Sequence, residues 1–250
     1  MKRRLLPILM TLVLVCALPI WAAFVTSGDV TNPLVSTAGA ASPPEPVEVR
    51  TADELQSNIT AGNSVKLMAD INITSTLKIS RSLTLDLNGC TLRMTGTGSV
   101  LKVSGRATLT ITDSSAAKSG TITGGNAEDG DGGGVCVEAY ATLEMTGGCI
   151  TGCRAEDGGG VYIDNNATLK MTGGCITDCH AIYGGGIYSC ENLYMGGTAK
   201  IEKCTSNGGS YDAIWNKGGG YVCRWRHSGW HGEQSGHDQA QQWCHGCDGF

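Results

Sequence analysis

A chain of 250 residues with a formal charge of −5 lacks the basic footprint that phosphate binding needs, which argues against nucleic acid as a partner. Thirty-seven glycines, 6% aromatic and 16% charged residues describe a turn-rich β protein and exclude a helical one. The length is enough for a single domain.

Residues 1–23 have the layout of a secretory signal: Lys2, Arg3 and Arg4 precede an apolar run from Leu5 to Ala23. Cleavage after Ala22 fits, and so does a later site at Ala38-Gly39-Ala40, which would extend the segment to residue 40. The rival reading is an uncleaved anchor of about 20 residues, the one way in which the chain would meet a membrane. Either way the product is exported, secreted or held at the cell surface. Residues 24–50 have no hydrophobic period and cluster prolines, so a disordered linker is expected. Thr51-Ala52-Asp53-Glu54 fits a capping box, predicting a short helix over Ala52 to Ile59 that covers the open end of the strand repeats downstream.

From Ser64 to Ser115 short stretches alternate apolar and polar residues, as in Leu83, Leu85, Leu87 and in Leu109, Ile111. Aligning Leu85 with Leu109 gives a spacing of 109 − 85 = 24. A sharper repeat then takes over. A triple glycine begins at Gly132, Gly158 and Gly184, with a period of 158 − 132 = 26 and again 184 − 158 = 26. GGGVCVEAYATLEMTGGCIT is followed by GGGVYIDNNATLKMTGGCIT and by the shortened GGGIYSCENLYMGG. A fixed period of this length marks a solenoid, whose repeats bury their apolar faces only by stacking. The runs between glycines are strand-length and alternate, so each repeat reads as three short strands and three turns, one rung of a parallel β-helix. Rungs stack about 4.8 Å apart, and about seven of them over residues 51–217 would make a rod roughly 30 Å long. The inward ladders are then Val135, Val161, Ile187; Leu143, Leu169, Leu193; Met145, Met171, Met195; and Ile150 with Ile176.

These elements, GGGVY, ATLKMTGG and CIT, with TLDLNGCTL and TLTITDSS upstream, resemble the right-handed β-helix repeat proteins of the pectin-lyase-like superfamily, and most of all the secreted cell-surface repeat proteins of gut Firmicutes. The resemblance covers about residues 50–217 and implies an all-β, right-handed parallel β-helix with a short N-terminal capping helix. It also implies an alternative to a plain scaffold, a polysaccharide lyase or glycoside hydrolase on the same fold. The paired aspartates and the RIK triplet of the β-helix galacturonases are absent, and fold alone does not fix function.

Outward positions of the first strand carry the candidate sites. Tyr162 and Tyr188 stack one rung apart; their faces could pack against a pyranose, and they could equally be ordinary sheet stacking. Glu138 and Asp164, in the next ladder, could hold a Ca²⁺. A lyase would need a base over its substrate, and no Arg or Lys is expected to share these ladders. The acidic glycine stretches Gly124 to Gly134 and Arg154 to Gly160 miss the GGxGxDxUx register of calcium-binding solenoids and are read as mobile turns. Cys153, Cys179 and Cys204 recur one rung apart, as do Cys149 and Cys175. Stacked neighbours lie within disulfide reach and inward cysteines also pack as reduced ladders, so the row Cys153, Cys179 and Cys204 is read as the candidate for a disulfide bridge or a reduced cysteine ladder. No cofactor is expected. The partner class is a polysaccharide or a host or cell-surface glycan.

After Lys217 the composition changes. Residues 224–250 contain no Leu, Ile, Val or Met, yet hold three of the five tryptophans and four of the five histidines. Read at face value, His227, His231, Cys244 and Cys247 make a zinc site. A shift of one nucleotide explains more: every Trp codon becomes Gly, every Cys codon Ala or Val, and with allowed codons the tail from Tyr221 reads MYADGGTVDGTVNNQGTIKPNNGATVATG. Residues 218–250 are therefore expected to be a disordered, out-of-frame tail that begins at Gly218 to Gly220. The last rung, left without a cap, is expected to associate end to end.

Overall fold

The computed structural model describes residues 45–207 and 213–217, and the backbone of 223–224. The chain winds as a parallel β-solenoid, with one helix near its start. Sheet A contains Val47–Val49, Val65–Leu67, Leu83–Asp86, Thr108–Thr112, Thr142–Met145, Thr168–Met171, Asn192–Met195 and Cys223–Arg224. Sheet B contains Ile71–Ile73, Thr91–Met94, Thr121–Thr123, Cys149–Thr151, Cys175–Thr177 and Lys200–Glu202. Sheet C contains Leu77–Ile79, Leu101–Val103, Val135–Val137, Val161–Ile163, Ile187–Ser189 and Ile214–Asn216. Each full turn passes from A through B to C and back to A.

The expected ladders form the core. Val135, Val161 and Ile187 are in register in sheet C and fully buried. Leu143, Leu169 and Leu193 do the same in sheet A, and Ile122, Ile150 and Ile176 in sheet B, where Ile201 continues the register with slight exposure. Each such side chain contributes roughly 1.5–3 kcal/mol of burial. Because every second residue of a strand points inward, the strands need only two to six residues each.

The helix spans Ala52–Ala61 and has the predicted capping box: the Glu54 amide donates to Thr51 Oγ1 at 3.2 Å, and the Thr51 amide donates to Glu54 Oε2 at 3.2 Å. Gly62, at a φ of 83°, ends it in the left-handed region. Leu55 and Ile59 face inward onto the first strands of the solenoid.

Several expectations are corrected. The linker boundary at residue 50 lies too late, since Val47–Val49 already pairs with Val65–Leu67 and buries Val49. The upstream spacing is 26 rather than 24: Leu83, not Leu85, is opposite Leu109, and Leu85 is opposite Ile111; both leucines point inward, so alternation alone fits either register. Sheets B and C hold six strands each among the described residues, fewer than the seven rungs expected. Beyond Lys217, where disorder was expected, Cys223–Arg224 pairs with Tyr194 and Met195, continuing sheet A.

The largest correction is a fourth strand in the regular rungs. Asn126–Asp131, Arg154–Asp157, His180–Tyr183 and Thr205–Ser206 form sheet D, inserted between B and C. The acidic glycine stretches read as mobile turns are these paired strands, with Ala127, Ala155 and Ala181 buried in register. Alanine is too small to signal a strand by hydrophobic periodicity, yet it fits the shallow corner that sheet D covers. The triple glycines let the chain pass from D to C. Gly132, Gly158 and Gly184 have φ of 67°, 66° and 62°, and a Cβ on Gly159 would lie 2.4 Å from the His180 carbonyl oxygen and 2.6 Å from that of Gly185. Stacked turns this close admit only glycine.

Candidate binding groove

The outward position of sheet C carries a single ladder: Lys78, Lys102, Cys136, Tyr162, Tyr188 and Trp215, each in register with the next. Its last three members are aromatic. Tyr162 and Tyr188 stack with ring centroids 5.4 Å apart and planes at 14°, and Tyr188 and Trp215 stack at 6.4 Å and 1°. The ring faces are thus turned toward one another along the solenoid axis, and Tyr188 is only 8% exposed. The expectation of a face-on sugar platform at Tyr162 and Tyr188 meets a different geometry, in which the row presents its edges and hydroxyls. Burial, with the nearby Asp157 carboxylate adding to it, pushes the Tyr188 hydroxyl up to about 12, so it stays a neutral donor.

The edge of sheet D overhangs this row. Asp131, Asp157 and Tyr183 are in register at the strand ends, just before the glycine turns. Tyr183 meets Trp215 edge to face at 5.2 Å and 62°, and is 40% exposed. Asp157, Tyr183, Tyr188, Trp215 and Lys217 together line a groove of about 310 Å³. Burial pushes the Asp157 carboxyl up to about 6; the carboxylates of Asp131 and Glu156 add to this, and Lys217 opposes it. Asp131 is raised as well, by burial and then by Glu156 and Asp164.

The neighbouring ladder holds Glu138, Asp164 and Cys190. Contrary to expectation, a lysine reaches it: Lys102 Nζ lies 2.7 Å from Glu138 Oε1, with both side chains 40% exposed. Lys102 sits on the strand before Cys136, in a rung too irregular to align by eye. Asp164 accepts from the Asn165 amide and side chain at 2.6 and 3.1 Å through Oδ1. So Glu138 has a cation as partner, and Asp164 caps its own turn. Among the described residues no group of three or more His, Cys, Asp or Glu side chains is arranged to hold a metal ion. Cys190 Sγ lies 4.0 Å from the Tyr162 hydroxyl.

On the other side of the rung the cysteines divide into two rows. Cys149 and Cys175 point outward from sheet B and are bridged, with Cα atoms 4.5 Å apart. Cys153, Cys179 and Cys204 point inward and remain free and buried. The contact with Cys153, and burial, push the Cys179 thiol up to about 12; the contact with Cys179, and burial, raise Cys204 as well. These thiols behave as small apolar groups, each donating weakly to a carbonyl, Cys179 to Thr177 at 3.3 Å and Cys204 to Glu202 at 3.5 Å.

His227, His231, Cys244 and Cys247 lie outside the described residues, as does the signal segment. No described helix is long and apolar enough to cross a membrane. Asp131, Asp157, Tyr183, Trp215 and Lys217 were missed from the sequence. Trp215 carried a usable signal, because Ile214-Trp215-Asn216 matches the pattern of Ile187-Tyr188-Ser189 although no triple glycine precedes it. In comparisons with known proteins, no family model, no curated protein and no solved structure matches the chain. What the register and the groove define is a parallel β-solenoid with an aromatic and acidic groove between two of its sheets.

Proposed function

We propose that the chain is an exported, non-catalytic β-solenoid scaffold whose contact surface is the groove of Asp157, Tyr183, Tyr188, Trp215 and Lys217, and that its ligand is a glycan. The observation that carries this reading is the juxtaposition of ring edges with hydrogen-bonding groups on an exposed face. The exposed Tyr183 ring supplies apolar contact with sugar C–H groups, and Asp157, Lys217 and the tyrosine hydroxyls supply partners for sugar hydroxyls. The rungs repeat about every 4.8 Å, close to the length of one extended pyranose unit, so a glycan lying along the solenoid axis meets equivalent positions in successive rungs. Sheet D supports the reading too, because it raises a wall beside sheet C where a plain three-sheet rung would leave a flat face.

The test is a glycan-binding panel with the purified full chain, repeated with Tyr183→Ala and Trp215→Ala. Loss of binding of about tenfold or more in each variant is expected if these rings are contact hot spots. Equal binding by the variants, or no binding across the panel, would overturn the reading. A second reading is favoured by one observation, the raised Asp157 carboxyl one rung from Asp131, which is what a general acid of a glycoside hydrolase needs. Release of new reducing ends from any bound glycan, abolished by Asp157→Asn, would establish it in place of the scaffold.

A further inference from the structure

The charge of the groove narrows the class of glycan. Resting on the reading of this groove as a glycan contact, we infer that it selects a glycan bearing free amino groups, with the sugar ammonium held by Asp157 beside the Tyr183 and Trp215 rings.

Carboxylates dominate the surroundings. Asp131 is one register step from Asp157, Glu156 is its chain neighbour, and the Asp164 carboxylate acts on Asp131 from the sheet C side. Among the cations, Lys102 is engaged by Glu138 at 2.7 Å, which leaves Lys217, exposed at the rim, as the cation acting on Asp157. A uronate polymer, the usual acidic polysaccharide, would bring more negative charge into this cluster and be repelled. An ammonium group relieves the mutual repulsion of Asp131 and Asp157, and the exposed Tyr183 ring, which lies outside the stacked row, adds a cation–π attraction. The overall charge of −5 acts in the same direction at long range.

The shape agrees with the charge. Tyr183 stands edge to face against Trp215 and is the most exposed ring of the group, so one wall of the groove is an aromatic surface and the other is the Asp157 carboxylate. A primary ammonium on a pyranose ring has its charged group and its apolar ring side by side, the same arrangement as the two walls. Along the axis, the step from Asp131 to Asp157 is one rung, so two successive amino sugars would each find a carboxylate, with Tyr183 at the same position on the next rung.

The experiment measures binding of the full chain at near-neutral pH to three oligosaccharides of matched length: a glucosamine oligomer with free amines, its N-acetylated counterpart, and oligogalacturonate. The expected order is amine first, acetylated second and uronate last, with the amine preference falling as salt is raised. Asp157→Asn should reduce amine binding about tenfold and acetylated binding by much less, so that the preference for the amine is lost. Because Asp157 ionises reluctantly in the folded chain, that variant is not expected to destabilise it, and a thermal melt confirms that it is folded. Glu156→Gln, at an exposed neighbour, should weaken amine binding in the same direction but less. Equal affinity for amine and acetylated oligomers, tightest binding to oligogalacturonate, or an amine preference that survives both substitutions would each overturn the inference while leaving the glycan reading in place. Binding to none of the three, with none on the wider panel, would overturn the glycan reading itself.

Discussion

Asp113 shows how a single side chain organises several turns. It is 2% exposed; Oδ1 accepts from the Gly89 and Ser115 amides at 2.9 and 3.1 Å, and Oδ2 accepts from the Gly120 amide at 2.7 Å. Burial alone would raise its carboxyl, but the Gly120, Ser115 and Gly89 donors outweigh burial and hold it below the usual range. A folded-state value below the unfolded one, about 3.9, means that the stabilisation is fully present above the unfolded value. It is lost as pH falls through the folded value. Asp113→Asn replaces one acceptor oxygen by a donor and should cost about 1–3 kcal/mol at neutral pH, read from urea unfolding midpoints, with the gap to the parent chain closing in acid. Asp157 has the opposite sign. Raised to about 6, it keeps its proton to a higher pH in the folded chain than in the unfolded one, so its contribution weakens as pH rises from about 3.9 through that value. Asp157→Asn should therefore be as stable as the parent chain, or more so, above pH 6. An Asp113→Asn deficit that did not shrink in acid would show that its oxygens matter only for shape.

At the scale of the element, the cysteine rows illustrate why spacing alone could not assign the bridge. Cys149 and Cys175 share their period with Cys153 and Cys179, so the sequence offers two equally spaced pairs; direction decides between them. The residue between neighbours Cys149 and Thr151 is the inward Ile150, which turns Cys149 outward, whereas Cys153 lies past the corner and points into the core. The bridge closes a loop across one rung, a sequence separation of 26, and should contribute about 3 kcal/mol. Replacing both cysteines by Ser should lower the unfolding free energy by about that amount, while Cys153, Cys179 and Cys204 should resist alkylation until the chain unfolds. Rapid labelling of those three in native buffer would contradict the inward assignment. The same logic marks what was legible in the chain. Strands with Val, Leu or Ile at alternate positions, and the helix with its Thr51 and Glu54 cap, could be read directly. Sheet D could not, because its inward residues are Ala127, Ala155 and Ala181 and its flanks are acidic and glycine-rich, as in a loop. With sheet D hidden, the groove was hidden too: only Tyr188 among its lining residues was singled out, and the geometry turns its ring toward its neighbours.

For the whole molecule, a solenoid makes stability a property of stacking. Each rung bonds only to the one before and the one after, so local stability depends on having both neighbours in good register. The rungs between Val135 and Thr177 have closely matched inward residues, glycine turns in register on both sides and the Cys149–Cys175 bridge. At the start, the helix Ala52–Ala61 covers the first strands and replaces the missing neighbour. At the far end, Ile214 is only partly buried, where its ladder partners Val135, Val161 and Ile187 are fully so. Hydrogen exchange should therefore be slowest in Val135–Val137, Thr142–Met145, Val161–Ile163 and Thr168–Met171. It should be fastest in Ile214–Asn216, with Val65–Leu67 in between. The groove sits toward the faster end, on Tyr183, Tyr188 and Trp215, so a bound glycan should slow exchange there first and leave the central rungs unchanged. A uniform exchange rate along the chain would mean that the rungs open together as one cooperative unit, and that the groove has no local freedom for a ligand to restrain.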